Sequence, residues 1–174
     1  GAGKGITDVL ADQVDIAMVS RELKPQEKEK GAVAYAVAKD AVVATINKDN
    51  PEYQRYLKTG LSQEEAKKIW DGKTKLNVYT RSDACGAAET WAKFLDKKQE
   101  DLKGTGVFGD PGVAETLQKD VKGIGFNNIG YAYNDKTHKP TKGIAIVPID
   151  VNGNGKLDED EKFYDNLDML MEAI

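Results

Sequence analysis

The sequence predicts an α/β fold on three observations. Apolar, Val- and Ile-rich runs of strand length recur along the chain, at Val14–Val19, Ala32–Ala38, Ala41–Ile46 and Gly143–Ile149. Other stretches carry their apolar residues at helical spacing, such as Ala66, Ile69 and Trp70, or Ala88, Trp91, Ala92 and Leu95. The third observation joins the two patterns: Asn77–Phe94, NVYTRSDACGAAETWAKF, reads as a strand, a tight loop and the first turns of a helix. The loop therefore stands at a helix N-terminus. Free backbone N–H groups and the positive end of the helix dipole converge there, and Arg81 adds a permanent fork of donors, so the natural guest is an oxyanion. Asp83 is placed to hold Arg81.

In chain order, Gly1, Gly3 and Gly5 precede Ile6, Val9 and Leu10, an apolar set at helical spacing, with Lys4 as the cation of that stretch. Backbone free of side chains can approach a ligand closely before such a helix, although a Gly-rich turn is more often plain punctuation. Val14–Val19 is expected to be a buried strand with Ser20 and Arg21 at its C-terminal end, the edge of an open α/β sheet where ligands bind. The same pair reads equally as a hydroxyl and a surface cation that start a turn. Ala32–Ala38 and Ala41–Ile46 are expected to be buried strands, with a hinge around Lys39–Ala44. Asn50-Pro51 starts a turn, and Ser62 with Glu65 forms a capping-box pattern for a helix that Asp71-Gly72 ends.

Beyond the central loop, residues 96–112 read as an exposed polar connection, Val113–Val121 as a helix and Gly123–Tyr133 as strand and turn. Residues 134–142 form a polar loop in which His138, the sole histidine, reads as a surface residue. Gly143–Ile149 is the last strand. From Asp150 the pattern changes. DVNGNGKLDEDE matches a twelve-residue calcium loop, with Asp150, Asn152, Asn154, Asp158 and Glu161 supplying side-chain oxygens and Lys156 a carbonyl. A polar Asn-Gly turn accounts for the glycines but not for oxygens at all of those positions. Phe163, Leu167, Leu170, Met171 and Ile174 continue as an amphipathic helix, and a strand, not a helix, precedes the loop. The expectation is one structural Ca2+ site.

With 40% hydrophobic and 31% charged residues, the chain can fold around a real core. A formal net charge of −4, with lysines interspersed among glutamates, argues against a nucleic-acid or membrane-surface binder. No apolar run approaches the roughly 18 residues that span a bilayer. Cys85 is the sole cysteine, so no intrachain disulfide forms.

Three segments carry a resemblance. The run R-S-D-x-x-G at Arg81–Gly86, GAGKGITDVLADQVDIAMVSREL at residues 1–23, and GDPGVAETLQKDVKGIGFNNIGYAY at residues 109–133 resemble, in order and spacing, the periplasmic phosphate-binding proteins of phosphate ABC importers. The resemblance implies a two-lobe periplasmic-binding-protein-like α/β fold with one lobe complete and the other partial. Residues 1–38 would be a partial first lobe with a Gly-rich anion loop, 39–149 the second lobe, and 150–174 the calcium loop and a helix returning to the first lobe. The family's first strand is expected before Gly1 and further first-lobe elements after Ile174. It also implies an anion site at Gly3, Lys4, Gly5, Ser20, Arg21, Arg81, Asp83, Cys85, Gly86 and Ala87, an ABC permease as partner, a periplasmic or cell-surface location, and self-association of a fragment that exposes apolar surface. Cys85 and Ala87 depart from the family, which commonly places Ser and Thr hydroxyls there. Each missing bond to a charged ligand is worth about 1.5 to 3 kcal/mol.

Two other classes compete with a non-enzymatic receptor. An enzyme with Cys85 as nucleophile would use a thiol at a helix N-terminus near an arginine, but it has no evident acid-base partner. A calcium-dependent structural or adhesive module with a vestigial anion site is the other, favoured by the losses at Cys85 and Ala87.

Overall fold

The computed structural model describes residues 2–174. Two helices come first, α1 (Ala2–Leu10) and α2 (Pro25–Glu29), before β1 (Val42–Asn47), α3 (Tyr53–Thr59), β2 (Leu61–Ser62) and α4 (Gln63–Trp70). The central segment is β3 (Asn77–Arg81) and α5 (Gly86–Phe94), followed by β4 (Thr105–Val107) and α6 (Gly109–Lys119). The remainder is β5 (Gly123–Asn128), α7 (Ile129–Ala132), β6 (Ile144–Val147), β7 (Ile149–Asp150) and α8 (Leu167–Ala173).

Five strands form one sheet in the order β4-β3-β5-β1-β6, and β2 pairs with β7 beside it. Strand β3 runs parallel to β4 and β5, while β1 is antiparallel to β5 and β6, so the sheet is mixed. Strand alternation builds two cores. Ala44 and Ile46, Ile124 and Phe126, and Ala145 and Val147 point to one face, where they meet Trp70 of α4 and Trp91, Ala92 and Ala88 of α5. The two tryptophans pack edge to face with ring centroids 5.0 Å apart. On the opposite face Val113, Ala114 and Leu117 of α6 pack with Ile144, and Val43, Ile146, Ile129 and Tyr133 pack with Leu170 of α8. Gly125 lets α6 close on β5: a Cβ there would stand 3.0 Å from Val113 Cγ1. Helices thus cover both faces, as a largely apolar sheet requires.

Several sequence expectations meet a correction here. Residues 14–19 and 32–38 join no sheet among the described residues, and Ile16, Met18, Val33, Tyr35 and Val37 are exposed. An apolar run becomes a buried strand only where a neighbour takes up its N–H and C=O groups, and no described strand stands beside these two. Within Ala41–Ile46 the expected strand does form, as β1 between β5 and the edge strand β6, so Val42, Val43 and Ala44 of the expected hinge stretch are ladder residues. The connection at 96–112 contains a strand, and α6 begins four residues before the expected Val113. The last helix packs on the main sheet through Leu170 and Leu167.

Candidate functional site

The strand-to-helix stretch lies where its sequence put it. Arg81 ends β3, and α5 starts after Cys85, whose extended backbone and Sγ cap the Ala88 N–H at 3.5 Å. The Gly86 and Ala87 N–H groups come one and two positions into the helix, too early for an intrahelical partner. Both residues line a cleft of about 360 Å³ together with Ser20, Asp40, Ala41, Val42, Cys85, Thr90, Asp110, Asn128 and Tyr131. Ser20 is drawn over the helix start so closely that a Cβ at Gly86 would meet its Oγ at 2.1 Å and its carbonyl oxygen at 3.1 Å. Only glycine permits that approach.

Behind the cleft lies a charge cluster. Arg81 donates from Nε and Nη2 to both oxygens of Asp83, at 2.8 and 2.6 Å, and from Nη1 to Asp110. Its side chain is 6% exposed. Burial opposes the guanidinium charge, but the Asp83 and Asp110 carboxylates outweigh it and raise the Arg81 pKa. The Arg81 fork, assisted by the Gly109 N–H, holds Asp83 at about 2 although burial works against it. Asp110 also accepts from the Asn128 N–H at 2.8 Å, and its carbonyl oxygen accepts from Asn127 Nδ2 at 2.9 Å. Burial pushes the Cys85 thiol up, contrary to an activated nucleophile. His138 is engaged elsewhere, with Nδ1 2.8 Å from Asp168.

Of the ten anion-site residues expected from sequence, Ser20, Cys85, Gly86 and Ala87 line one cleft. Arg81 and Asp83 are not among its lining residues: Arg81 reaches it only through Asp110 and lines a separate pocket with Ser82, Gln99 and Leu102. Arg21 turns away to pair with Glu27 at 2.8 Å and Glu89 at 3.6 Å, which fastens the segment after Ser20 to α5. Gly3, Lys4 and Gly5 are not brought to the cleft: all lie inside α1, and Lys4 reaches Asp8 at 2.6 Å. The apolar spacing of Ile6, Val9 and Leu10 extends back to Ala2, and helix replaces the expected loop; Gly1 is outside the described residues. Asp40, Asp110, Asn128 and Tyr131 were missed from sequence. Only Asp110 left a readable signal, as an acid in the first turn of a helix after Gly109.

The acidic loop is a second cluster. Asp150 and Glu161 are 3% and 4% exposed. Asp150 accepts from the Gly153, Asn154 and Gly155 N–H groups, and Glu161 from those of Val151, Asn152 and Asp158. Asn152 and Asn154 turn their amides to Asp158 at 2.9 and 2.7 Å. Gly155 bends the loop at a φ of +77°. Among the described residues no three His, Cys, Asp or Glu side chains gather tightly enough to hold a metal, so any cation would also need the Asn152 and Asn154 amide oxygens and the Lys156 carbonyl. Glu161 ends a 3-10 turn, and the helix expected from Phe163 begins only at Leu167.

Comparison with known proteins gives one answer. Residues 1–172 match the model of the PBP superfamily domain. The phosphate-binding protein PstS of Staphylococcus haemolyticus is 24% identical over 165 residues, which cover 84% of this chain and 50% of that protein. The chain therefore spans about half the length of the curated relatives it matches. Among solved structures, a candidate phosphate ABC transporter substrate-binding protein of Clostridium perfringens with bound phosphate is 23% identical with a TM-score of 0.67, over 88% of this chain and 62% of that one. An ABC-type phosphate transport receptor of Vibrio cholerae is 20% identical with a TM-score of 0.64, over 86% and 62%. At these identities the structures speak for the fold, an α/β arrangement with one lobe complete and part of a second. On the family match over 1–172 and this shared fold, the chain belongs to the PBP superfamily.

Proposed function

We propose that this chain is the ligand-binding part of an extracytoplasmic receptor for phosphate or a similar oxyanion, that it serves an ABC importer, and that it is not an enzyme. The observation that carries the reading is the pair of acceptor-free N–H groups at Gly86 and Ala87, opening α5 beneath the Ser20 hydroxyl and beside a cleft. Relatives and structural neighbours named for phosphate binding and phosphate transport support it. Ser20 and the Gly86 and Ala87 amides make the direct contacts, and Arg81 contributes charge from behind. The same reading places it outside the cytoplasmic membrane with a permease as partner, supported by structural neighbours named for ABC-type phosphate transport. No helix of the described residues is long and apolar enough to cross a membrane. Titration with inorganic phosphate, read by tryptophan fluorescence from Trp91 on α5, tests the reading. A saturable change is expected; a flat response up to about 10 mM, where binding would be weaker than about −3 kcal/mol, opposes it.

We also propose that residues 150–161 hold one structural calcium ion. Support comes from the twelve-residue pattern, the glycine bend at Gly155, and two carboxylates buried where a hard cation would compensate their charge. Self-association belongs to the same reading, because the exposed runs at 14–19 and 32–38 leave apolar surface in water.

A further inference from the structure

We infer that Asp110 holds the ligand's place on Arg81, as a built-in competing anion whose removal tightens oxyanion binding. The inference rests on the receptor reading above and concerns the same cleft. Arg81 does not line that cleft; Asp110 does, and no lysine or arginine is among its lining residues. Seen by an entering ligand, the charged side chains among the lining residues are two carboxylates, Asp110 and Asp40. Asp83 takes two nitrogens of the guanidinium, and Asp110 takes the third. One cation thus faces two carboxylates, and a bound oxyanion would be the third anion around it.

The position of Asp110 is not accidental to the fold. Its second oxygen accepts from the Asn128 N–H at the end of β5, and its main-chain oxygen accepts from Asn127, which is itself tied to Thr45 of β1 at 2.8 Å. The carboxylate also lies in the first turn of α6, where the helix dipole favours negative charge. Sheet and helix together hold this anion against Arg81. An incoming oxyanion meets its repulsion and finds three of the guanidinium's five N–H groups already engaged, so it competes for Arg81 against two resident carboxylates.

Asp110→Asn removes the charge and keeps an amide oxygen for the Asn128 N–H. Asp110→Ser keeps a helix-start oxygen but is too short to reach Arg81, and serves if the first variant fails to fold. Both are titrated calorimetrically with inorganic phosphate at fixed ionic strength beside the wild-type chain. The expected result is a dissociation constant at least tenfold lower in each variant, a gain that mere structural damage would not produce. Unchanged or weaker binding in the variants, with wild-type binding intact, overturns the inference and leaves the receptor reading standing. No binding by any of the three overturns the receptor reading and the inference with it.

Discussion

Arg81 sits at 6% exposure between two carboxylates, and this decides what the residue can do. A buried guanidinium with three of its five N–H groups on two carboxylates is a structural element first and a source of potential second. Asp83 depends on it. Because the folded-state pKa of Asp83 is about 2, below the roughly 3.9 of an unfolded aspartate, its contribution to stability is fully present above about pH 4 and is lost as the pH falls toward 2. Melting temperatures of wild type and Asp83→Asn, measured from pH 5 to pH 2.5, should differ most at pH 5 and converge on acidification. A constant difference would show that the ion pair is not the source of the shift. The Arg81–Asp83 pairing was legible because the partners are two positions apart in a known turn. Asp110 was not, since it lies 29 residues from Arg81 and only folding brings them together.

At the scale of elements, strand-loop-helix order was readable wherever local chemistry and sheet pairing agreed. The Ser62 cap, donated to by the Glu65 N–H at 3.2 Å, and the stop at Gly72, with a φ of +76°, are local and came out as expected, whereas the Glu65 carboxylate completes no capping box and pairs with Arg55. The runs at 14–19 and 32–38 looked like strands because composition reports β-propensity but not the presence of a partner. The segment before α2 is held instead by Arg21 on Glu89 and by Ser20 on Gly86. Gly86→Ala should therefore push residues 18–22 off the start of α5, seen as faster hydrogen exchange there and at least tenfold weaker phosphate binding. Unaltered exchange would contradict the contact. For the calcium loop, affinity of the order of 10⁻⁴ M would stabilise the fold by about 1.4 kcal/mol at about 1 mM calcium. A melt in calcium should then lie a few degrees above one in chelator, and Glu161→Gln should abolish the difference. Coincident melts of the wild-type protein would remove calcium from the account.

Across the whole molecule, one sheet covered on both faces anchors everything from β1 to α8, while residues 11–41 contribute the Ser20 wall of the cleft and leave wide apolar ribbons outside it. Met18 and Val37 are each 94% exposed, an arrangement that hydrophobic association relieves. Sedimentation between low- and high-micromolar concentrations should show reversible association that weakens when Met18 and Val37 are both changed to Ser; a strict monomer throughout would contradict it. The central claim is narrower: the start of α5 is the seat of an oxyanion. The most direct measurement is amide NMR of the ¹⁵N-labelled chain during titration with inorganic phosphate at constant ionic strength. The account predicts that the Gly86 and Ala87 amide signals move downfield and saturate together, while those of Gly153 and Gly155 in the distant loop stay in place. Stationary Gly86 and Ala87 signals, or shifts spread evenly over the surface, would contradict it.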